Sequence, residues 1–269
     1  MVNKTYYHTI VVVLVYRNID IVKDFFQSLN LKSHKVIIVN SYYDDASLEE
    51  CRIIANQYGA DFIPIENKGY GYGNNVGVQH AMNNYEYDFL IISNSDIEIK
   101  KMPHLDQYSG GEYIIAPKTI MRTGKHQNPS TPWEMPFLYP ILSFAHRRRS
   151  PIVCTCCHIC TRLAREIFRI YAFIIRKKEY KIFSAHGSFI IFTKRAINKL
   201  FPIFDDEMFL YNEEWFLALK AKKYNVPVVF IPDIEVFHYE GASSDFNVYS
   251  EYDKQSFEIL NYKRINDLI

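Results

Sequence analysis

Phe89-Leu90-Ile91-Ile92-Ser93-Asn94-Ser95-Asp96-Ile97-Glu98-Ile99 is the stretch whose reading decides the fold. Its first four residues form an unbroken apolar run, the pattern of a strand buried on both faces of a parallel sheet. The run then breaks into Ser93, Asn94, Ser95 and Asp96. Open α/β sheets bind ligands beyond the carboxyl ends of their strands. Asp96 therefore falls at the rim of the sheet, within reach of a metal ion or a phosphate. Asn, Ser and Asp are also common turn residues, and the local sequence does not choose between a turn and a site.

Working outward, residues 10–15, 36–39 and 61–65 read as further strands. Residues 19–29, 46–58 and 74–84 read as the helices between them. Strand–helix alternation with short connections predicts a Rossmann-like, mostly parallel central sheet flanked by helices, with right-handed crossovers. After residue 100 the alternation weakens. A strand is expected at 113–116, an irregular Pro-rich excursion over 123–140, a strand at 187–192 and a short capped helix at 193–200. A helix starting at Glu213, capped by Asn212, runs to about residue 223 and is followed by strands at 226–231 and 234–237.

The chain has 269 residues, enough for one large core or two modest ones. Hydrophobic residues at 48% and charged residues at 23% are ordinary for a soluble globular protein. The 21 Tyr and 19 Phe suit either core packing or a ligand with flat rings. A net charge of +1 gives no overall attraction to nucleic acid. The charge is uneven, however: residues 140–182 sum to +8, so the remainder sums to about −7.

Within that basic insertion, Arg162, Arg165, Arg169 and Arg176 share one arc of a helix, and Leu163, Ile167, Ile170, Tyr171 and Ile174 share another. A basic amphipathic helix can lie on an anionic membrane surface. It can equally pack its apolar side on the core and leave its arginines solvated. Cys154, Cys156, Cys157 and Cys160 surround His158, but a structural zinc site needs a second ligand pair further along the chain. The cysteines read as small apolar residues approaching the helix. The first residues lack a long apolar signal segment. No run reaches the roughly 18 apolar residues of a bilayer span. A cytoplasmic protein, peripheral on the inner face of the cell membrane, is expected, with reduced thiols.

Three further stretches bear on chemistry. Asn67-Lys68-Gly69-Tyr70-Gly71-Tyr72-Gly73-Asn74-Asn75 is a glycine-rich segment, read as a ligand-facing loop. It follows the third strand and not the first, unlike a dinucleotide fingerprint. Asp205, Asp206, Glu207, Glu213 and Glu214 place five carboxylates in ten residues among aromatics. Acids in the first turn of a helix also have a purely structural reason, the helix dipole. His238 ends the last strand and opens His238-Tyr239-Glu240-Gly241.

In this order the pieces resemble the family-2 glycosyltransferases, nucleotide-sugar-dependent enzymes of GT-A fold, and especially their rhamnosyltransferase-like branch. The resemblance spans about residues 8–245. Its specific parts are Asn67 to Gly77, a complete match to N-x-G-[FY]-[AG]-x-[AG]-x-N-x-G, and Phe204 to Glu214, which follows F-D-x-x-x-F-L-Y-x-E-E. Weaker parts are Tyr16-Arg17-Asn18 after the first strand, Val39 to Asp45, Asn94-Ser95-Asp96 at the D-x-D position, and the His-x-x-Gly ending.

The resemblance implies one GT-A domain over 1–269: a nucleotide-binding half at 1–100, an acceptor-binding half at 101–245 carrying the basic insertion of about 140–182, and a tail at 246–269. It implies nucleotide binding by Tyr16, Asn18, Asn40, Asn67, Gly69, Tyr70, Gly71, Asn74, Asn75, Asn94 and Asp96. It places acceptor contacts at Asp205 and Tyr211. A divalent cation, Mn2+ or Mg2+, would be held by Asp96 and His238 and would stabilise the diphosphate leaving group. Glu214 matches the family's base position, where Asp is usual, and Glu213 stands beside it. Asn40 replaces the usual Asp that pairs with the nucleotide base. The implied activity is inverting transfer of a sugar from a UDP- or dTDP-sugar to a saccharide acceptor. That acceptor is expected to be lipid-linked, in bacterial cell-surface polysaccharide synthesis. Three other classes remain open: a non-catalytic nucleotide- or sugar-binding module on the same scaffold, a nucleotidyltransferase, and a membrane scaffold.

Overall fold

The computed structural model describes residues 4–17, 19–148, 150–239 and 249–269. Strands β1 (Thr5–Val15), β2 (His34–Ser41), β3 (Asp61–Ile65) and β4 (Tyr85–Asn94) run parallel in the order β3-β2-β1-β4. The crossovers are α1 (Asp20–Ser28), α2 (Asp45–Gln57) and α3 (Tyr70–Asn84). The apolar run of β4 splits between two cores. Phe89 and Ile91 pack with Phe25 of α1 and Ile54 of α2, whereas Leu90 and Ile92 pack with Val78 and Ala81 of α3. A strand covered on both faces has no place for polar residues, which is why the run is uninterrupted.

Strands β5 (Ile97–Lys101), β6 (Ile114–Met121), β7 (Tyr180–Ile182), β8 (Phe189–Thr193) and β9 (Val228–His238) complete a nine-stranded sheet. Its order is β3-β2-β1-β4-β8-β6-β9-β5, with β7 also paired to β9. β8 runs antiparallel between β4 and β6, and β5 runs antiparallel to β9. The two late strands expected at 226–231 and 234–237 are one strand, whose register against β6 slips between Pro117 and Lys118. Such an irregularity lets a strand bend without ending. Helix α6 (Lys194–Leu200) is capped by Thr193, whose hydroxyl accepts the Ala196 N–H at 3.3 Å.

The glycine-rich segment differs from the expected loop. α3 begins at Tyr70, so Gly71 and Gly73 belong to its first turn. Their missing side chains serve packing. A Cβ at Gly71 would stand 2.9 Å from Phe204 Cβ, and one at Gly77 would stand 2.9 Å from Val39 Cγ2.

Two helices, α4 (Leu138–Arg147) and α5 (Pro151–Ile175), make up the basic insertion. α5 starts with Pro151 at its first position, where proline's fixed φ favours a helix. It packs inward through Cys157 and Phe168, with the Phe168 ring 5.6 Å from Tyr180 and 5.9 Å from Phe230. The stripe bearing Leu163, Ile167, Ile170 and Ile174 turns outward and is exposed. The alternative in which this apolar side packs on the core therefore does not hold. Cys157 joins an apolar cluster with Leu142 and Phe216, Cys156 and Cys160 are exposed, and all five cysteines are free thiols.

The C-terminal tail contains helix α8 (Tyr249–Ile265), which inserts Phe257 and Leu260 into the cluster formed by α4 and α7 (Glu213–Lys223). Among the described residues no helix is long and apolar enough to cross a membrane.

Candidate functional site

Asp96 and His238 are 142 positions apart in sequence and adjacent in space. β5 pairs with β9 so that Ile97 lies opposite His238, and the Tyr239 N–H donates to the Asp96 carbonyl at 3.0 Å. Asp96 Oδ1 stands 3.1 Å from His238 Nε2, and both side chains are buried. His238 Nδ1 is 2.7 Å from Gln127 Oε1. A carboxamide oxygen only accepts, so Nδ1 is the donor to Gln127, and Nε2 is the ring nitrogen that faces Asp96.

At 3.1 Å a carboxylate oxygen and a ring nitrogen can share a proton as an ion pair, or, with Nε2 unprotonated, could take a cation between them. Neighbouring ligands of an octahedral ion with bonds of ~2.1 Å stand about 3.0 Å apart, so the pair is spaced as two such ligands. One carboxylate and one imidazole suit manganese or magnesium. Among the described residues no group of three or more His, Cys, Asp or Glu side chains is gathered to hold a metal. Glu240 and Gly241, which complete the His-x-x-Gly ending, and Asn18 lie outside the described residues.

The segment His186-Gly187-Ser188 ties the pieces together, and nothing in the sequence marked it as more than the approach to a strand. Asn94 donates its N–H to the Ser188 carbonyl at 2.9 Å. Tyr70 Oη donates to the Gly187 carbonyl at 2.7 Å, while the Gly187 N–H donates to Glu214 Oε1 at 3.1 Å. His186 receives its backbone support from Asn128, whose Oδ1 accepts the His186 N–H at 2.7 Å. Its ring lies 6.1 Å from that of His238. Burial, then repulsion from His238 and Arg165, pulls the His186 pKa down to about 3, so this imidazole is neutral. Gln127, Asn128 and His186 lack a local signal: two lie in the irregular excursion and the third just before β8.

The two motifs most specific to the resemblance form one unit. The Tyr70 N–H donates to the Phe209 carbonyl at 2.9 Å. Asn75 Oδ1 accepts from the N–H groups of Ile203 and Phe204, and its Nδ2 donates to Phe204 O and Asp206 Oδ1. Its amide is fully used in holding the carboxylate segment, so Asn75 supports the site and does not line it. Asn67 Oδ1 accepts the Gly69 N–H, and Asn74 Nδ2 donates to Tyr70 O, leaving Asn74 Oδ1 buried without a partner.

Glu213 and Glu214 open α7 as expected, but Asn212 does not cap it. Asn212 takes φ 66°, and its amide donates to Asp253 Oδ1 of α8 at 2.8 Å. The cap of an α-helix needs an extended backbone, which the left-handed conformation denies. Glu213 is buried, and its Oε1 has no hydrogen-bond partner. Burial, then the neighbouring Glu214, raises its pKa to about 8. Glu214 is half-buried, and burial raises its pKa against the opposing Gly187 N–H. Asp205 is committed elsewhere: Lys263 of α8 pairs with it, and its Oδ1 accepts the Glu207 N–H at 2.9 Å. Tyr211 precedes Asn212 at φ 73°.

Across the sheet edge, Asn40, next to last in β2, is fully buried beside Val15 and donates to the Val15 carbonyl at 3.3 Å. Its Oδ1 and the Ser41 hydroxyl are buried without partners. Tyr16 follows β1 half-buried, with the Tyr43 ring 6.3 Å away and the Arg17 guanidinium over its face.

These elements stand at one end of the sheet, and solved structures share the fold. The chain superposes on GalNAc-T7 with UDP, GalNAc and Mn2+ at a TM-score of 0.59 and 11% identity, covering 90% of this chain and 45% of that one. The chain has the GT-A fold. S. aureus TarS 1-349 in complex with UDP-GlcNAc gives a TM-score of 0.55 at 13% identity, covering 88% of this chain and 60% of that one. The chain thus spans about half the length of the GT-A structures it matches. No protein-family model and no curated protein matches the sequence. On the GT-A sheet, β4 ends at Asn94, and Ser95 and Asp96 turn into β5, which pairs with the late strand that ends in His238.

Proposed function

We propose that the chain is an inverting glycosyltransferase of the family-2, rhamnosyltransferase-like type. It would move a sugar from a UDP- or dTDP-sugar to a saccharide acceptor. The observation that carries this reading is the Gly187-Ser188 segment: the Gly187 N–H donates to Glu214 Oε1, and the Ser188 carbonyl accepts the N–H of Asn94, two residues before Asp96. Donor and acceptor chemistry would thereby be held on one rigid frame.

In this reading Asn40, with its unpartnered buried Oδ1, accepts the imide N–H of a uracil or thymine ring. Tyr16 packs beside that base. Asp96 and His238 hold a divalent cation, which when bound neutralises the charge that develops on the departing diphosphate. Gln127 fixes the His238 ring so that Nε2 faces the site. Glu214 takes the proton of the attacking acceptor hydroxyl. It is the better base of the pair because Glu213 is sealed from solvent and neutral at pH 7. A neutral Glu213 spares Glu214 the repulsion of a second charge. Direct displacement with the base opposite the leaving diphosphate inverts the sugar carbon.

The acceptor is proposed to be lipid-linked. α5 exposes Ile167 (59%), Ile170 (62%), Phe173 (72%) and Ile174 (67%) on its outward side. Exposed Arg162, Arg176, Lys177 and Lys178 flank this stripe. An apolar stripe with a basic border suits the surface of a membrane containing anionic lipid. Flotation with vesicles containing phosphatidylglycerol should carry the protein upward at low salt; failure to float at low salt removes this partner.

The activity is tested by thermal shift with manganese across UDP-, dTDP- and GDP-sugars, followed by assay of sugar release. A UDP- or dTDP-sugar should raise the melting temperature by mass action. If no donor stabilises the protein, the reading fails. Stabilisation without release of sugar in the presence of acceptors identifies a binding module on the same scaffold.

A further inference from the structure

Among the described arginines of the basic insertion, Arg165 reaches inward to Gln127. Its Nη1 donates to the Gln127 carbonyl at 3.4 Å, a long contact, and its Nε is buried with no partner. Among the described residues no carboxylate lies within ion-pairing distance of it; the acid next to it in sequence, Glu166, pairs with Arg169. The same Gln127 holds His238, and His238 faces Asp96. A guanidinium with a buried, unpaired N–H therefore stands one residue away from the candidate cation pair.

A charge withdrawn from water without a counter-ion is costly unless an anion completes it. A guanidinium offers a planar fork of donors that matches two phosphate oxygens. We propose that Arg165 is an anion clamp, delivered by α5, that binds the diphosphate of the donor. The proposal rests on the glycosyltransferase reading for the identity of that diphosphate. It also gives the insertion a second role, since the helix bearing the outward apolar stripe reaches the reaction site with its inner side. A helix fixed by a membrane would fix the clamp as well.

The test measures binding of UDP, uridine and inorganic pyrophosphate, with magnesium, to wild type, Arg165→Gln and Arg165→Lys. Melting curves of each variant check folding. Loss of one charge-assisted contact should weaken UDP and pyrophosphate by roughly tenfold or more in Arg165→Gln. Uridine, which lacks phosphate, should bind all three proteins equally. Arg165→Lys keeps the charge without the fork and should fall between. Equal UDP affinity in wild type and Arg165→Gln overturns the clamp. If Arg165→Gln does not fold, Arg165→Lys decides, and an unchanged UDP affinity there overturns it. If wild type binds pyrophosphate through Arg165 but no nucleoside diphosphate, the anion site stands and the donor reading falls. If it binds neither, both fall.

Discussion

The Gly187 N–H donates to Glu214 Oε1 at 3.1 Å. A Cβ at residue 187 would lie 3.2 Å from that same oxygen. The carboxylate proposed as base is thus aimed by a residue whose lack of a side chain leaves it room. Gly187→Ala should displace Glu214 while barely changing the fold, because the atom it crowds is the end of a side chain. Sugar transfer should drop at least tenfold, with a melting temperature close to wild type. Glu214→Gln should reduce transfer by roughly 10²-fold or more while leaving UDP binding intact, as expected for loss of a general base. Wild-type turnover in Glu214→Gln would assign the base elsewhere.

Asp96 and His238 provide a second test. With both as cation ligands, UDP should bind more tightly in manganese than in EDTA. Asp96→Asn and His238→Ala should each erase most of that difference. Removing Gln127 should weaken the manganese effect less, since it acts only by fixing the His238 ring, and losses of 10–100-fold are usual for such partners. Calorimetric titration of UDP with and without manganese reads the effect directly. A manganese effect that persists in Asp96→Asn would remove Asp96 from the ligand set.

Glu213 predicts a pH dependence of stability. Its pKa lies near 8 in the folded protein, against an ordinary value of 4.5. Between these values the unfolded chain has released the proton that the native state retains. Stability therefore falls as pH rises from about 4.5 to 8 on account of this residue. Glu213→Gln removes the titration and should be more stable than wild type at pH 8 by about 5 °C, with the gain vanishing near pH 4.5. Melting curves across this range check it; a gain that does not change with pH would contradict the burial of an unpaired acid.

Gly69 should be intolerant of any side chain. It takes φ 105°, and a Cβ would stand 2.7 Å from Phe209 Cα, with the Phe209 carbonyl closer still. Gly69→Ala combines backbone strain with a clash against main-chain atoms, and should cost at least about 2 kcal/mol in urea denaturation. Gly59, also at positive φ, has open space around it, so Gly59→Ala should cost less.

The sequence by itself determined the parallel half of the sheet. The uninterrupted apolar run of β4, the short β-branched strands and the helical periodicity between them are local patterns, and local patterns survive without coordinates. Through the resemblance it also set Asp96 and His238 together as expectations, and the structure places these two side by side. Only the tertiary structure decided which side of each element does what. It turned the glycine-rich segment from a loop into a helix start packed on Phe204 and Phe209. It set Asn75 to holding the 203–206 segment, and Asp205 to pairing with Lys263. It faced the apolar stripe of α5 outward and drew Arg165 inward, although helical spacing had placed Arg165 with the other arginines. It brought His186, Gly187 and Gln127 into the site from stretches with no distinguishing pattern. The physical reason is the same in each case. Periodicity fixes which residues share a face, but which face is buried depends on strands and helices far away in the chain.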